Sequence, residues 1–245
     1  MATSNQNAAK SFYSALFGWT AQDVPIAQGA VYSLMQLNGR VAAGLYTMHD
    51  EERDGGIPPN WKLYVATANA DQSAKKAAQL GAKVVDAPFD IADRGRAAVF
   101  HDPAGAPFQV WQPKQRKGLG VVGEPGSFCW ADLNTSDQAG AKTFYAGLFG
   151  WKMMFGHGKE SGYLHIVNGE QYIGGVPPAH QNSANEPPHW LIYFAVADVD
   201  KSFHRARDLN AKLLLRPMDF EGVGRMAMLA DPQGAVFALF HEKSI

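Results

Sequence analysis

The chain has a single cysteine among 245 residues, which excludes an internal disulfide and suits a reducing compartment. Charge is also scarce. Asp, Glu, Lys and Arg make up 18% with a formal net charge of −1, and no Lys/Arg block supplies the electrostatic footprint of a nucleic-acid binder. No stretch approaches the about 18 apolar residues that a membrane span requires. The opening Met1-Ala2-Thr3-Ser4-Asn5-Gln6-Asn7 lacks the charged-then-apolar pattern of a secretion signal, so the cytoplasm is the expected location. Equally missing are a glycine-rich phosphate loop, a Ser-His-Asp arrangement in a recognisable context, and zinc spacing. What is plentiful is apolar and aromatic material, 46% and 11%, enough for one large core or two smaller ones.

That material is arranged twice. Ala9-Lys10-Ser11-Phe12-Tyr13-Ser14-Ala15-Leu16-Phe17-Gly18-Trp19 returns as Ala141-Lys142-Thr143-Phe144-Tyr145-Ala146-Gly147-Leu148-Phe149-Gly150-Trp151. Asn38-Gly39 is answered by Asn168-Gly169, Pro58-Pro59-Asn60-Trp61 by Pro187-Pro188-His189-Trp190, and Asp102-Pro103-Ala104-Gly105-Ala106 by Asp231-Pro232-Gln233-Gly234-Ala235. Two long copies are a duplicated module; a solenoid would need several repeats of about 20 to 50 residues. The halves run over 1–112 and 127–245. The Lys-, Gly- and Pro-rich stretch 113–126 reads as the linker.

Each half resolves into elements. Thr135-Ser136-Asp137 caps a helix carrying Ala141, Phe144, Tyr145 and Leu148, and Gly150 ends it; Thr3-Ser4-Asn5 and Gly18 bracket its twin. Strands follow: Tyr163 to Val167 before the Asn168-Gly169 hairpin signal, Trp190 to Val196, and Val236 to Phe240 after an Asp-Pro-x-Gly turn. Ala70 to Leu80 and Val199 to Leu209 carry helical spacing. The second half opens with a strand, Ser127 to Leu133, for which the first half has only Met1 and Ala2. The expectation is that the opening strand of the first module is missing, leaving an edge for another chain or the N-terminal tail to cover.

The repeated helix signature, the later Gly95-Arg96 and Gly224-Arg225, and the Asp-Pro-x-Gly-Ala-x-Phe closing strand resemble the vicinal oxygen chelate superfamily of glyoxalase I, bleomycin-resistance proteins and extradiol dioxygenases. The resemblance covers both halves and is nearest to two-module glyoxalase-like proteins. It implies an α+β fold of tandem βαβββ modules whose curved mixed sheets surround a cleft, holding a divalent metal in the enzymes. It also implies where ligands should stand. A His seven residues before the helix-capping Asp falls at Trp130, and the Glu of the closing strand falls at Gln109 and Ala238. Trp and Ala offer no lone pair and a lone amide oxygen is weak, so neither a metal nor another cofactor is expected.

Strand parity suggests what faces the cleft instead. With the larger apolar set packed on the helices, Trp130 and Asp132, Tyr163 and His165, His189 and Tyr193, and Gln109 and Trp111 are left over. Trp130, Asp132, His165, His189, Tyr193 and Gln109 are therefore candidate ligand-binding residues: aromatic walls with a few convergent polar groups. For any one of them, a satisfied hydrogen bond on a sheet surface is the competing explanation. Asp132, His165 and His189 could alternatively form a relocated two-His-one-carboxylate metal site. Arg96 and Arg225 read as salt-bridge partners, Cys129 as buried and inert, His101 as a surface residue, and His157, His180 and His241 as uninformative.

Two function classes stay open at this level. One is a metal-independent protein, monomer or homodimer, that binds a small organic molecule without touching membrane or nucleic acid. The other is a divergent lyase, isomerase or dioxygenase-like enzyme using His/Asp acid-base chemistry or a relocated metal.

Overall fold

A computed structural model describes all residues except 27–28, 156–160, 180–185, 222 and 244–245; His157 and His180 lie outside the described residues. Four copies of one motif make up the chain. The first consists of β1 (Ala2–Thr3), α1 (Gln6–Phe17), β2 (Thr20–Pro25), β3 (Val31–Leu37) and β4 (Arg40–Thr47). A short helix α2 (Asp50–Asp54) leads to the second: β5 (Tyr64–Ala66), α3 (Ala70–Gln79), β6 (Lys83–Ile91), β7 (Gly95–His101) and β8 (Pro107–Pro113). The third has β9 (Phe128–Asn134), α4 (Gln138–Phe149), β10 (Lys152–Phe155), β11 (Leu164–Asn168) and β12 (Gln171–Val176). The fourth has β13 (His189–Ala195), α5 (Val199–Asp208), β14 (Lys212–Phe220), β15 (Gly224–Ala230) and β16 (Val236–Glu242). In each the last three strands form an antiparallel meander. The opening strand pairs parallel with the last, giving the spatial order first, fourth, third, second. Each half of the sequence therefore carries two βαβββ motifs. No helix of the described residues is long and apolar enough to cross a membrane.

The helices start and stop for local reasons. Asn5, Asn69, Asp137 and Asp198 each accept a backbone N–H of the first turn, from Ala8, Gln72, Gly140 and Lys201. Gly18 and Gly150 end α1 and α4 at φ +75°, a left-handed conformation that a Cβ disfavours.

The opening strand expected to be missing from the first module is present, reduced to the two residues of β1. Ala2 pairs with Tyr46 and Thr3 with Thr47, and the flanking backbone adds Tyr46 N–H to Met1 O at 3.1 Å and Met48 N–H to Thr3 O at 2.9 Å. Two residues carry no periodicity, yet they suffice to occupy the β4 edge. The N-terminal segment supplies the cover.

The compact units do not coincide with the sequence halves. Unit 1 comprises Met1–Trp61, Leu119–Cys129 and Ile192–Ile245; unit 2 comprises Lys62–Gly118 and Trp130–Leu191. The first and fourth motifs thus build unit 1, the second and third build unit 2, and short ends of β9 and β13 cross the division. The stretch read as a linker is not a free spacer. In unit 1 Val121 is buried, Gly120 N–H donates to Val41 O at 2.7 Å, and Glu124 forms an ion pair with Arg40.

Both units have the same core. In unit 1, Tyr13 and Phe17 of α1 pack on Trp19, Phe194 and Phe237, with ring centroids 4.9 to 6.4 Å apart. In unit 2, Phe144, Tyr145 and Phe149 of α4 pack around Phe108 of β8 at 5.7 to 6.1 Å. A buried relay runs through each. Trp61 Nε1–H donates to Tyr13 Oη at 3.0 Å and Tyr13 O–H to Asp231 Oδ2 at 3.0 Å. Trp190 Nε1–H donates to Tyr145 Oη at 3.3 Å and Tyr145 O–H to Asp102 Oδ2 at 3.0 Å. The other oxygen of each aspartate accepts two backbone N–H groups of its own Asp-Pro-x-Gly turn. Burial raises both the tyrosines and the aspartates above their ordinary pKa values.

Candidate ligand site in unit 2

On β9, Ala131 and Leu133 are buried against the core and alternate with Trp130 and Asp132 on the face turned away from the helix. On the chain entering β11, Leu164 and Ile166 are buried in the same way and leave Tyr163 and His165 to that helix-free face. There the four side chains meet. Tyr163 O–H donates to Asp132 Oδ1 at 2.5 Å, and Trp130 Nε1 lies 2.9 Å from both that oxygen and Tyr163 Oη. His165 is ringed edge-on by Trp130, Tyr163 and Tyr172, with centroids at 6.0, 5.1 and 5.3 Å. Asp132 is 5% exposed, so its carboxylate is held among neutral donors in a partly dry setting. Burial first, and then the Asp132 charge, raises the Tyr163 phenol far above its ordinary range. Tyr163 is therefore a fixed donor at neutral pH, not an acid.

The remaining candidates separate. Gln109 belongs to unit 2, on the face of β8 opposite Phe108. It is 3% exposed, and its Oε1 finds no hydrogen-bond partner among the described residues. His189 is engaged at the start of β13, with Nε2 3.3 Å from Asn134 Nδ2 and Nδ1 3.0 Å from Pro187 O. Tyr193 falls in unit 1, buried and edge-on to Phe240 at 6.4 Å. Tyr172, half of whose surface is open, was missed because it follows the Asn168-Gly169 turn on a strand that the alternation does not mark.

A relocated metal site is ruled out as drawn. Among the described residues no three His, Cys, Asp or Glu side chains are grouped so as to hold a metal ion. His189 is taken by Asn134 and Pro187, while Asp132 Oδ1 is taken by Trp130 and Tyr163. The positions of the expected metal fare no better: the indole N–H of Trp130 donates into the cluster, leaving no lone pair for a cation. Among the described residues, these positions do not offer a divalent metal a ligand set.

The lesser expectations divide. Arg96 pairs with Asp71 and Asp90, and Arg225 with Asp200 and Asp219, so both are the salt-bridge residues they were read to be. Cys129 is half-buried instead of buried, but burial still pushes its thiol up to about 12, which keeps it unreactive at neutral pH.

Known proteins resemble the chain in sequence and in fold. Residues 1–111 fit a family model described as a glyoxalase-like domain, and residues 127–239 fit that of the glyoxalase/bleomycin resistance protein/dioxygenase superfamily. A Mycobacterium bovis protein named "Putative glyoxylase CFP32" is 35% identical over 243 residues, covering 97% of this chain and 90% of the relative. The anthracycline biosynthesis protein DnrV of Streptomyces peucetius is 32% identical over 248 residues, 95% of this chain and 87% of the relative. Among solved structures, the Mn(II)-bound glyoxalase from Novosphingobium aromaticivorans superposes with a TM-score of 0.63 at 16% identity, covering 98% of this chain and 79% of its own. An extradiol ring-cleaving dioxygenase from B. fuscum reaches 0.66 at 10% identity, covering 99% and 70%. At such identities the two structures speak for the fold alone.

Proposed function

The chain belongs to the glyoxalase/bleomycin resistance protein/dioxygenase superfamily, and from that premise we propose that it binds a ring-bearing organic molecule on the helix-free face of unit 2 without a metal. The observation that carries this reading is the Trp130–Asp132–Tyr163–His165 cluster. Aromatic rings supply contact area, and a buried carboxylate and an imidazole supply direction. DnrV is named for anthracycline biosynthesis, and since an anthracycline carries a planar fused-ring aromatic system, the likeness supports a planar aromatic ligand. Gln109 belongs to the proposed site as an acceptor for a ligand donor; His189 and Tyr193 have a weaker claim, since each has a structural partner.

A second reading rests on His165. An imidazole on the same face as a buried carboxylate is a candidate acid-base group, which would make the chain a metal-free lyase or isomerase.

Quinizarin, a dihydroxyanthraquinone, is a practical probe, with binding followed by quenching of tryptophan fluorescence. Saturable binding is expected for wild type and for His204→Ala, an exposed change on α5. Trp130→Ala and His165→Ala are expected to bind about tenfold more weakly, the loss corresponding to about 1.4 kcal/mol. Unchanged affinity in both variants, each shown to be folded, would place the site elsewhere.

A further inference from the structure

Gly175 stands in the middle of a row that crosses the helix-free face of unit 2. Met154 of β10 pairs with His165 of β11, His165 with Gly175 of β12, and Gly175 with Asp132 of β9. Directly paired residues point to the same side of a sheet. The one position between the imidazole and the carboxylate therefore has no side chain of its own. The gap is filled from elsewhere, because a Cβ placed on Gly175 would overlap Oη and Cζ of Tyr163. That ring is firmly held: its hydroxyl bridges Asp132 Oδ1 and Trp130 Nε1 at 2.5 and 2.9 Å, and its edge meets His165 at 5.1 Å. Unit 1 repeats the geometry. A Cβ on Gly44 would overlap Tyr32 Oη, and Gly44 pairs with Leu34, the counterpart of His165. A phenol seated over a glycine is thus a property of the repeated motif, whereas its polar neighbours occur in unit 2.

We propose that Tyr163 is the specificity-determining residue of the unit 2 site. Its phenol is an inserted floor, lodged in a ring-sized socket over Gly175, and it fixes both the depth open to a ligand and the direction of the Asp132 carboxylate. The inference rests on the reading of unit 2 as a ligand site, but the socket is tested without that reading.

p-Cresol is the tyrosine side chain as a free molecule. In Tyr163→Gly, isothermal titration is expected to show saturable p-cresol binding about tenfold or more tighter than to wild type. The variant's Tm should rise with p-cresol concentration by mass action. Tyr163→Gly/Gly175→Leu, in which a leucine refills the socket, is expected to bind none. In a second arm, Tyr163→Gly weakens quinizarin binding about tenfold, and saturating p-cresol restores it, a recovery that a merely structural tyrosine would not give. Should Tyr163→Gly refold poorly, its refolding yield with and without p-cresol reads the same socket, and no gain counts against it. Equal p-cresol affinity in wild type and variant overturns the socket. p-Cresol binding without recovery of quinizarin affinity overturns the floor. Failure of wild type to bind quinizarin counts against the proposed function and leaves the p-cresol arm to decide the socket.

Discussion

Units 1 and 2 share a topology and a core, and differ on their helix-free faces. The relay Trp61–Tyr13–Asp231 of unit 1 and the relay Trp190–Tyr145–Asp102 of unit 2 match bond for bond. On the other side of the sheets the match ends. Where unit 2 has His165, unit 1 has Leu34. Across β14, β15 and β16, unit 1 sets Met218 beside Met226 beside Phe240, and Leu215 beside Met228 beside Ala238. The same registers of unit 2 hold Phe89, Ala97 and Trp111, and Asp86, Val99 and Gln109. Close packing resists change of volume or polarity, so the aromatic cores agree between the units, and the differences fall on the helix-free faces outside those cores. At these positions unit 1 carries Leu34, Met218, Met226 and Met228, and unit 2 carries His165, Gln109 and Asp86.

The largest effect should come from what the units share. Phe108→Ala and Phe237→Ala each remove a fully buried ring and should cost about 3 to 5 kcal/mol, measured by urea unfolding. Similar costs sustain the equivalence of the cores, and a cost below about 1 kcal/mol in one unit would break it. Next come Tyr13→Phe and Tyr145→Phe, each of which deprives a buried aspartate oxygen of a donor, at about 1 to 3 kcal/mol.

Smallest is the pH response of the exposed ion pairs at the start of α3 and α5. Asp71 and Asp200 have pKa values lowered first by hydrogen bonds from Arg96 and Arg225. A carboxylate with a depressed folded-state pKa stabilises above its unfolded value of about 3.9 and loses that contribution as pH falls through the folded value. Asp71→Asn and Asp200→Asn should therefore lower Tm slightly at neutral pH and approach wild type in acid. The buried Asp102 and Asp231, whose values are raised by burial, run the other way: their contribution is fully present below about 3.9 and is lost as pH rises through their folded values. Tm measured against pH in the four Asp→Asn variants separates the two classes, and a common pH profile would contradict the assignment.

Much of this was legible in the sequence where the cause is local. Asp137 and Gly150 bracket α4 because a cap and a left-handed terminus are decided within a few residues. Trp130, Asp132 and His165 were placed on one face by alternation alone. What alternation does not encode is partnership. Nothing in the spacing tells Tyr13 that its acceptor is Asp231, 218 residues away, because the exchange of motifs between the halves leaves no local mark. Tyr163 was assigned to the right face, but its importance depends on Gly175 having no side chain, an absence that only the register makes meaningful. His189 and Tyr193 passed the same parity test and found partners elsewhere.

The interleaving of the two units also sets how this gene could be divided. A fragment ending at the sequence repeat, near residue 112, carries one motif of each unit and the complement of neither. Its α1 would expose Tyr13 and Phe17 to solvent, and its β8 would do the same with Phe108. Such a half-gene product is expected to aggregate or to seek the other half. Cleavage at the same place in the finished protein leaves two polypeptides that still hold both cores between them. The boundary most visible in the sequence is thus a poor place to truncate the protein, whereas a break there in the finished protein separates no core from its partners.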